Sequence, residues 1–118
     1  IEFLDKLCLF TGKSAEGKTF AFKAMDEYCR STGMKCRYFD STCFERSIES
    51  MKLDCIGQEI VIFDNADLYL TQELLDHALS IASTVIVSMK SYFRLNFESA
   101  GLYKVSFNSS SLSIFRIR

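Results

Sequence analysis

The sequence predicts an α/β fold, a three-layer αβα sandwich around a mainly parallel sheet with an antiparallel strand pair at its C-terminal edge. Short apolar runs without polar alternation are typical of strands buried on both faces of a parallel sheet. Amphipathic segments alternate with these runs, as helices that cover such a sheet do. The chain has no proline and only five scattered glycines, so nothing resembles a linker. Residues 1–118 are therefore expected to form a single domain.

The first three elements follow from apolar spacing. "KLCLFT" (6–11) predicts a buried strand that ends before Gly12. From Lys18 onward, apolar residues recur at helical spacing until Thr32-Gly33 supplies a stop signal. The apolar positions of this helix are Phe20, Ala21, Ala24, Met25, Tyr28 and Cys29. "KCRYFD" (35–40) predicts a second, weaker strand.

The middle of the chain repeats the alternation. Thr42 and Glu45 fit a capping box and predict that a second helix begins there, with Phe44, Ile48 and Met51 on one face. "EIVIFD" (59–64) is the strongest strand, since its central residues are β-branched or aromatic.

The remaining elements complete the predicted sheet. Thr71 is expected to cap a third helix with an apolar stripe of Leu74, Leu75, Ala78, Leu79 and Ala82. "TVIVSM" (84–89) predicts a further strand. "LYKVSF" and "LSIFRIR" predict two strands joined by a turn around Asn108 to Ser111. The loops after Thr11, Asp40, Asp64 and Ser88 are expected on one rim, where open parallel sheets bind ligands.

Composition gives no reason to expect a nucleic acid or membrane partner. The formal net charge is −1, no apolar run is long enough to cross a bilayer, and no signal-peptide pattern opens the chain. "KSYFR" (90–94) interleaves basic and aromatic residues that could stack bases, but it is a single cluster. None of the five cysteines forms a C-x-x-C pair, and His77 has no nearby cysteine. They are therefore interpreted as reduced core thiols of a cytoplasmic protein.

A sequence motif that indicates ligand binding lies in "LFTGKSAEGKTF" (9–20). Its residues Gly12, Gly17, Lys18 and Thr19 match the pattern G-x-x-x-x-G-K-[ST]. A chance match at a strand-to-helix turn is the alternative, but the predicted strand and helix on either side favour a phosphate-binding loop. Gly17 lets backbone N–H groups approach phosphate oxygens without a Cβ in the way. Lys18 would bridge the β- and γ-phosphates, and the Thr19 hydroxyl would ligate magnesium.

"GKSAEGKT" and "IVIFDNAD" together resemble the Walker A and Walker B motifs of P-loop NTPases, and among these the additional-strand ATPase branch. The resemblance covers roughly the first three-quarters of the chain. It implies that Asp64, which ends an apolar strand, holds magnesium together with Thr19, although an aspartate there can also simply cap a turn. It also implies nucleotide-binding positions at Gly12, Lys13, Ser14, Ala15, Glu16, Gly17, Lys18, Thr19 and Phe20.

Several positions depart from that pattern. The glutamate that usually follows the Walker B aspartate is Asn65, which leaves Asp67 as the candidate general base. Glu16 must point away from phosphate, because a carboxylate there would oppose binding. Lys13 matches the signature lysine of deviant Walker loops, but Ser14 replaces the glycine that follows it, so Lys13 is interpreted as a variable loop residue.

The candidate catalytic residues are Asp67, Ser88 and Lys18. Ser88 ends a strand where related ATPases place a residue that senses the γ-phosphate, although serine is also common at strand ends for turn reasons. Lys90 and Arg94 are interpreted as surface residues.

The absence of an N-K-x-D motif favours ATP over GTP. No lid insertion or arginine finger is identifiable, which predicts slow hydrolysis or hydrolysis that depends on a protein partner completing the site. The expected function is therefore an ATP/Mg²⁺-binding protein with such ATPase activity. The alternative is a non-hydrolysing nucleotide switch or interaction module, which Asn65 favours.

Overall fold

The computed structural model describes residues 5–11, 17–108 and 111–118. The strands are β1 (Leu7–Phe10), β2 (Cys36–Phe39), β3 (Ile60–Phe63), β4 (Thr84–Ser88), β5 (Gly101–Asn108) and β6 (Ser111–Arg116). The α-helices of this described part are α1 (Lys18–Ser31), α2 (Ile48–Cys55) and α3 (Gln72–Ile81). The predicted α/β fold with a mostly parallel sheet is confirmed.

The strands form one six-stranded sheet in the order β2-β3-β4-β1-β5-β6. The first five strands in this order are parallel to one another, whereas β6 pairs antiparallel with β5. Phe39 is in register with Phe63, Phe63 with Val87, and Phe10 with Ser88. The carboxyl ends of β1 to β4 therefore lie at one edge of the sheet, hereafter the carboxyl edge.

Each face of the sheet has its own apolar cluster. One cluster joins α1 to alternate strand residues, among them Phe10, Ile62 and Ile86. The other joins α2 and α3 to the intervening strand residues, such as Phe63 and Val87. Side chains alternate between the two faces of a strand, so this partition follows directly from strand geometry.

The start of α2 differs from the prediction. The sequence predicts a capping box at Thr42 and Glu45, but Ser41–Glu45 is a short 3₁₀ helix capped by Asp40, whose side chain accepts a hydrogen bond from the Thr42 N–H. The α-helix begins only at Ile48, where Ser47 accepts a hydrogen bond from the Ser50 N–H. The Asp40 carboxylate also accepts a hydrogen bond from the Thr42 hydroxyl, so Asp40 rather than Thr42 caps this turn.

The predicted apolar face of α1 is also partly wrong. Ala21, Met25 and Cys29 are buried as expected, but Phe22 is buried as well, while Phe20, Ala24 and Tyr28 are exposed. The helix is therefore rotated so that Phe22 packs edge-on against Phe10 of β1, with ring centroids 5.0 Å apart. The predicted stop is confirmed, because α1 ends at Ser31 and Gly33 adopts a positive φ of 81°.

Other predictions on this part of the fold have clear outcomes. Thr71 caps α3 by accepting a hydrogen bond from the Leu74 N–H at 3.2 Å. All five cysteines are buried free thiols. Residues 109 and 110 of the predicted turn lie outside the described residues. Across the described ranges, no helix is both long and apolar enough to cross a membrane.

Candidate functional site

Three polar side chains line the carboxyl edge on the α1 face of the sheet: Tyr38, Asp64 and Ser88. Strand alternation places them there, because Cys36, Ile62 and Ile86, two residues earlier on β2, β3 and β4, pack in the α1 cluster. On β3 and β4 the change from an apolar to a polar side chain occurs at the same level, whereas Tyr38 of β2 is in register with Ile62, two residues earlier. We call these three residues the polar shelf.

Asp64 is the centre of the polar shelf and is only 1% exposed. Its Oδ2 accepts a hydrogen bond from the Tyr38 hydroxyl at 2.5 Å, and its Oδ1 accepts one from the Ser88 hydroxyl at 3.1 Å. Both donors are neutral groups. A buried carboxylate is less costly when it is hydrogen-bonded and paired with a cation.

The two hydroxyl partners of Asp64 have distinct surroundings. Burial, together with the hydrogen bond to Asp64, raises the pKa of Tyr38, so its hydroxyl stays protonated and donates. Ser88 is 1% exposed, and its Oγ also accepts a hydrogen bond from the Asn65 N–H at 3.1 Å. Ser88 therefore connects the end of β4 to both the side chain of Asp64 and the backbone that follows it.

Asn65 has a backbone conformation that accounts for its identity. Its φ of 48° and ψ of 54° lie in the left-handed region. Asparagine is enriched in this region, whereas a longer side chain such as glutamate is less well tolerated. Asn65, at the position where the Walker B pattern that the sequence resembles has glutamate, therefore has a local backbone that favours asparagine.

Asp67 lies at the same edge, but its carboxylate accepts hydrogen bonds from backbone N–H groups. Its Oδ1 accepts the Ser91 N–H at 2.7 Å, and the Lys90 N–H lies 3.1 Å from each carboxylate oxygen. Burial alone would raise the pKa of Asp67, but the hydrogen bonds from Ser91 and Lys90 outweigh it and lower the pKa. Arg94 donates to the Asp67 carbonyl at 3.0 Å. Asp67 thus joins the loop after β3 to the loop after β4.

Residues 17–20, the part of the predicted phosphate-binding loop that the structure describes, lie at the start of α1. Gly17 precedes the helix with a φ of 87°, a conformation that favours glycine. Lys18, the first helical residue, is 6% exposed, Thr19 is half-buried and Phe20 is 63% exposed. The predicted nucleotide positions Gly12, Lys13, Ser14, Ala15 and Glu16 lie outside the described residues.

The start of α1 lies near the carboxyl edge. Phe22, in the second turn of α1, packs against Phe10, which ends β1 in register with Ser88. The fold therefore brings the first turn of α1 and the polar shelf to the same face and the same end of the sheet. Of the predicted surface residues, Lys90 and Arg94 are both exposed.

Oxygen atoms are the ligands that magnesium prefers in proteins. Magnesium sites commonly use one or two carboxylates and complete the shell with phosphates and water, so a dense acidic cluster is not needed. Within the described ranges, no group of three or more His, Cys, Asp or Glu residues could hold a metal. Asp64 and the Thr19 hydroxyl are the predicted ligands that the structure describes at this end of the sheet.

Sequence reasoning missed two tyrosines at the site. Besides Tyr38, the buried Tyr69 donates its hydroxyl to the Asp64 carbonyl at 2.6 Å and lies 3.1 Å from the Phe39 carbonyl. The strand register could have identified Tyr38, because it lies two residues after Cys36 on the strand next to β3. Nothing in the local sequence marks Tyr69.

Comparison with models of known protein families gives no match, and comparison with curated proteins gives none either. The inference of function therefore rests on the site itself.

Proposed function

We propose that this chain is an ATP/Mg²⁺-binding protein with a P-loop NTPase fold, in which hydrolysis is slow or requires a protein partner. The single observation that carries the proposal is the position of the polar shelf. A buried aspartate and serine lie at the carboxyl edge, on the sheet face covered by α1, whose first turn carries Lys18 and Thr19. The residues proposed to bind phosphate and those proposed to bind magnesium thus lie at the same end of one sheet face.

The strand order supports the proposed fold. Strand β4 lies between β1, which leads into the phosphate-loop motif, and β3, which ends before Asp64. An inserted strand at this place is what the additional-strand branch is named for. The helices on the two faces are compatible with the proposed three-layer αβα sandwich, with β5 and β6 extending one edge.

Each residue has a specific proposed role. The Lys18 ammonium would neutralise β- and γ-phosphate charge, and the N–H groups of the loop and of the helix N-terminus would bind phosphate oxygens. Thr19 and Asp64 would hold magnesium, which supplies charge neutralisation to the bound phosphates. Ser88 would report the γ-phosphate to Asn65 through its hydrogen bond to that backbone N–H. The buried, unbridged cysteines support a reducing compartment such as the cytoplasm.

A calorimetric titration tests the proposal. ATP and a non-hydrolysable analogue are titrated, with Mg²⁺, into wild type, Lys18→Ala and the control Lys23→Ala, which removes an exposed lysine from the same helix. We expect wild type and Lys23→Ala to bind alike and Lys18→Ala to lose binding by at least about 100-fold, because Lys18 provides the charge opposite the phosphates. Failure of nucleotide-free wild type to bind would refute the proposed function.

One observation favours a non-hydrolysing switch or interaction module as the second candidate. The carboxylate of Asp67, the candidate general base, accepts hydrogen bonds from the Lys90 and Ser91 backbone and has a lowered pKa, which makes it a weaker base. Steady-state hydrolysis separates the two candidates. Turnover that appears with a partner supports the ATPase, whereas tight ATP binding without any turnover supports the module. Turnover by the isolated chain at roughly 1–1000 per second would contradict both.

A further inference from the structure

Tyr38 occupies a position on the polar shelf that the proposed function leaves without a role. It is the penultimate residue of β2, and its hydroxyl is 2.5 Å from Asp64 Oδ2. We infer that Tyr38 is a positioning residue for the magnesium ligand Asp64, and that it sets the Mg²⁺ dependence of nucleotide binding. This inference rests on the proposed function and deepens it.

The first argument is the direction from which each contact reaches Asp64. Strand β3 lies between β2 and β4 in the sheet. Tyr38 donates to Oδ2 from the β2 side and Ser88 donates to Oδ1 from the β4 side. Two donors on opposite sides fix the rotation of the carboxylate, which a single hydrogen bond would not do.

The second argument is the remaining capacity of the carboxylate. An ionised carboxylate has about four lone-pair sites on its two oxygens, and the two hydroxyls occupy one on each. Lone pairs therefore remain for a cation or for its bound water. Groups that hydrogen-bond to a metal ligand orient it, and their removal typically costs about 10- to 100-fold in metal affinity.

The third argument is the rigidity of the tyrosine itself. The Tyr38 ring packs against the α1 cluster, so that the body of the side chain is anchored in the core while its hydroxyl reaches the site. A tyrosine has only two side-chain torsions before its hydroxyl, and packing restrains both. The position of its hydroxyl is therefore restrained, and its hydrogen bond orients the Asp64 carboxylate.

Tyr38→Phe tests this inference, with Tyr69→Phe as the matched control. Both changes remove one hydroxyl from a tyrosine at this site, but Tyr69 donates to the backbone carbonyl of Asp64 rather than to its carboxylate. ATP affinity is measured by calorimetry over a series of free Mg²⁺ concentrations and again in excess chelator, and thermal unfolding is followed for each variant.

We expect Tyr38→Phe to need about 10-fold more free Mg²⁺ for half-maximal enhancement of ATP affinity, with metal-free ATP binding unchanged. Tyr69→Phe should lower thermal stability and keep the wild-type Mg²⁺ dependence. If Tyr38→Phe keeps the wild-type Mg²⁺ dependence, or if Tyr69→Phe shifts it equally, the positioning role is wrong and the proposed function stands. If wild type does not bind ATP, both are wrong.

Discussion

Asp64 and Asp67 lie three residues apart at the carboxyl edge, yet different kinds of group hold them. Asp64 is 1% exposed and accepts hydrogen bonds from two side-chain hydroxyls on the neighbouring strands. Asp67 is partly exposed and accepts hydrogen bonds from backbone N–H groups of the loop after β4. The chain therefore contains two adjacent carboxylates in two unlike environments.

The difference distinguishes a proposed metal ligand, Asp64, from Asp67, a residue that joins two loops. Each oxygen of Asp64 accepts one hydroxyl hydrogen bond, so lone pairs remain for a cation while both contacts are kept. Asp67 accepts three backbone N–H contacts on its two oxygens, and these stabilise its charged form. This comparison predicts that changes at Asp64 alter ligand binding, whereas changes at Asp67 alter the stability of the fold.

Asp64→Asn should give the largest effect on ligand binding. The amide keeps the shape of the side chain but loses the charge that a divalent cation requires, so we expect the Mg²⁺-dependent enhancement of ATP affinity to fall by about 100-fold or more. Stability to urea should change little, because the removal of a buried charge offsets the loss of one of the two acceptor oxygens. Calorimetry at fixed Mg²⁺ and a urea titration measure the two quantities. If this variant keeps the wild-type Mg²⁺ dependence, Asp64 is not part of the proposed metal site.

Asp67→Asn should show the opposite pattern and a smaller effect. The amide oxygen is a weaker acceptor than a carboxylate for the Ser91 and Lys90 N–H groups, so we expect a loss of about 1–2 kcal/mol in the free energy of unfolding. ATP affinity and its Mg²⁺ dependence should stay within about twofold of wild type, a range that corresponds to less than 0.5 kcal/mol. Stability comes from urea unfolding and affinity from calorimetry. If Asp67→Asn instead loses Mg²⁺-dependent ATP binding and keeps wild-type stability, then Asp67 rather than Asp64 belongs to the metal site.

The sequence predicted the strand and helix alternation well, because buried strands such as Ile60–Phe63 and capped helices such as the one after Thr71 carry strong local signals. It was wrong where two local signals compete. Asp40, which follows β2, accepts hydrogen bonds from both the N–H and the hydroxyl of Thr42. The α-helix therefore begins at Ile48, six residues after Thr42.

The contents of the site were less predictable than its location. The position of Asp64 follows from a strand that ends at the carboxyl edge, which a motif can mark. The contact of Tyr38 with Asp64 depends on the pairing of β2 with β3, and the contacts of Asp67 depend on a loop more than twenty residues away, at Lys90 and Ser91. Such long-range contacts leave no local pattern, and therefore only the fold identifies them.

The smallest expected effect is the pH dependence of the Asp67 contribution. The pKa of Asp67 is lowered in the folded chain, so its charged form stabilises the fold at pH values above the unfolded pKa of about 3.9. That stabilisation is lost as the pH falls through the folded pKa, because the protonated carboxyl then resembles the asparagine amide in charge. The difference in urea midpoint between wild type and Asp67→Asn should therefore be constant from pH 7 to about pH 5 and shrink toward pH 3. Other carboxylates, including Asp5, titrate in both proteins and cancel in this difference. A difference that persists undiminished at pH 3 would mean that the charge of Asp67 is not what joins the two loops.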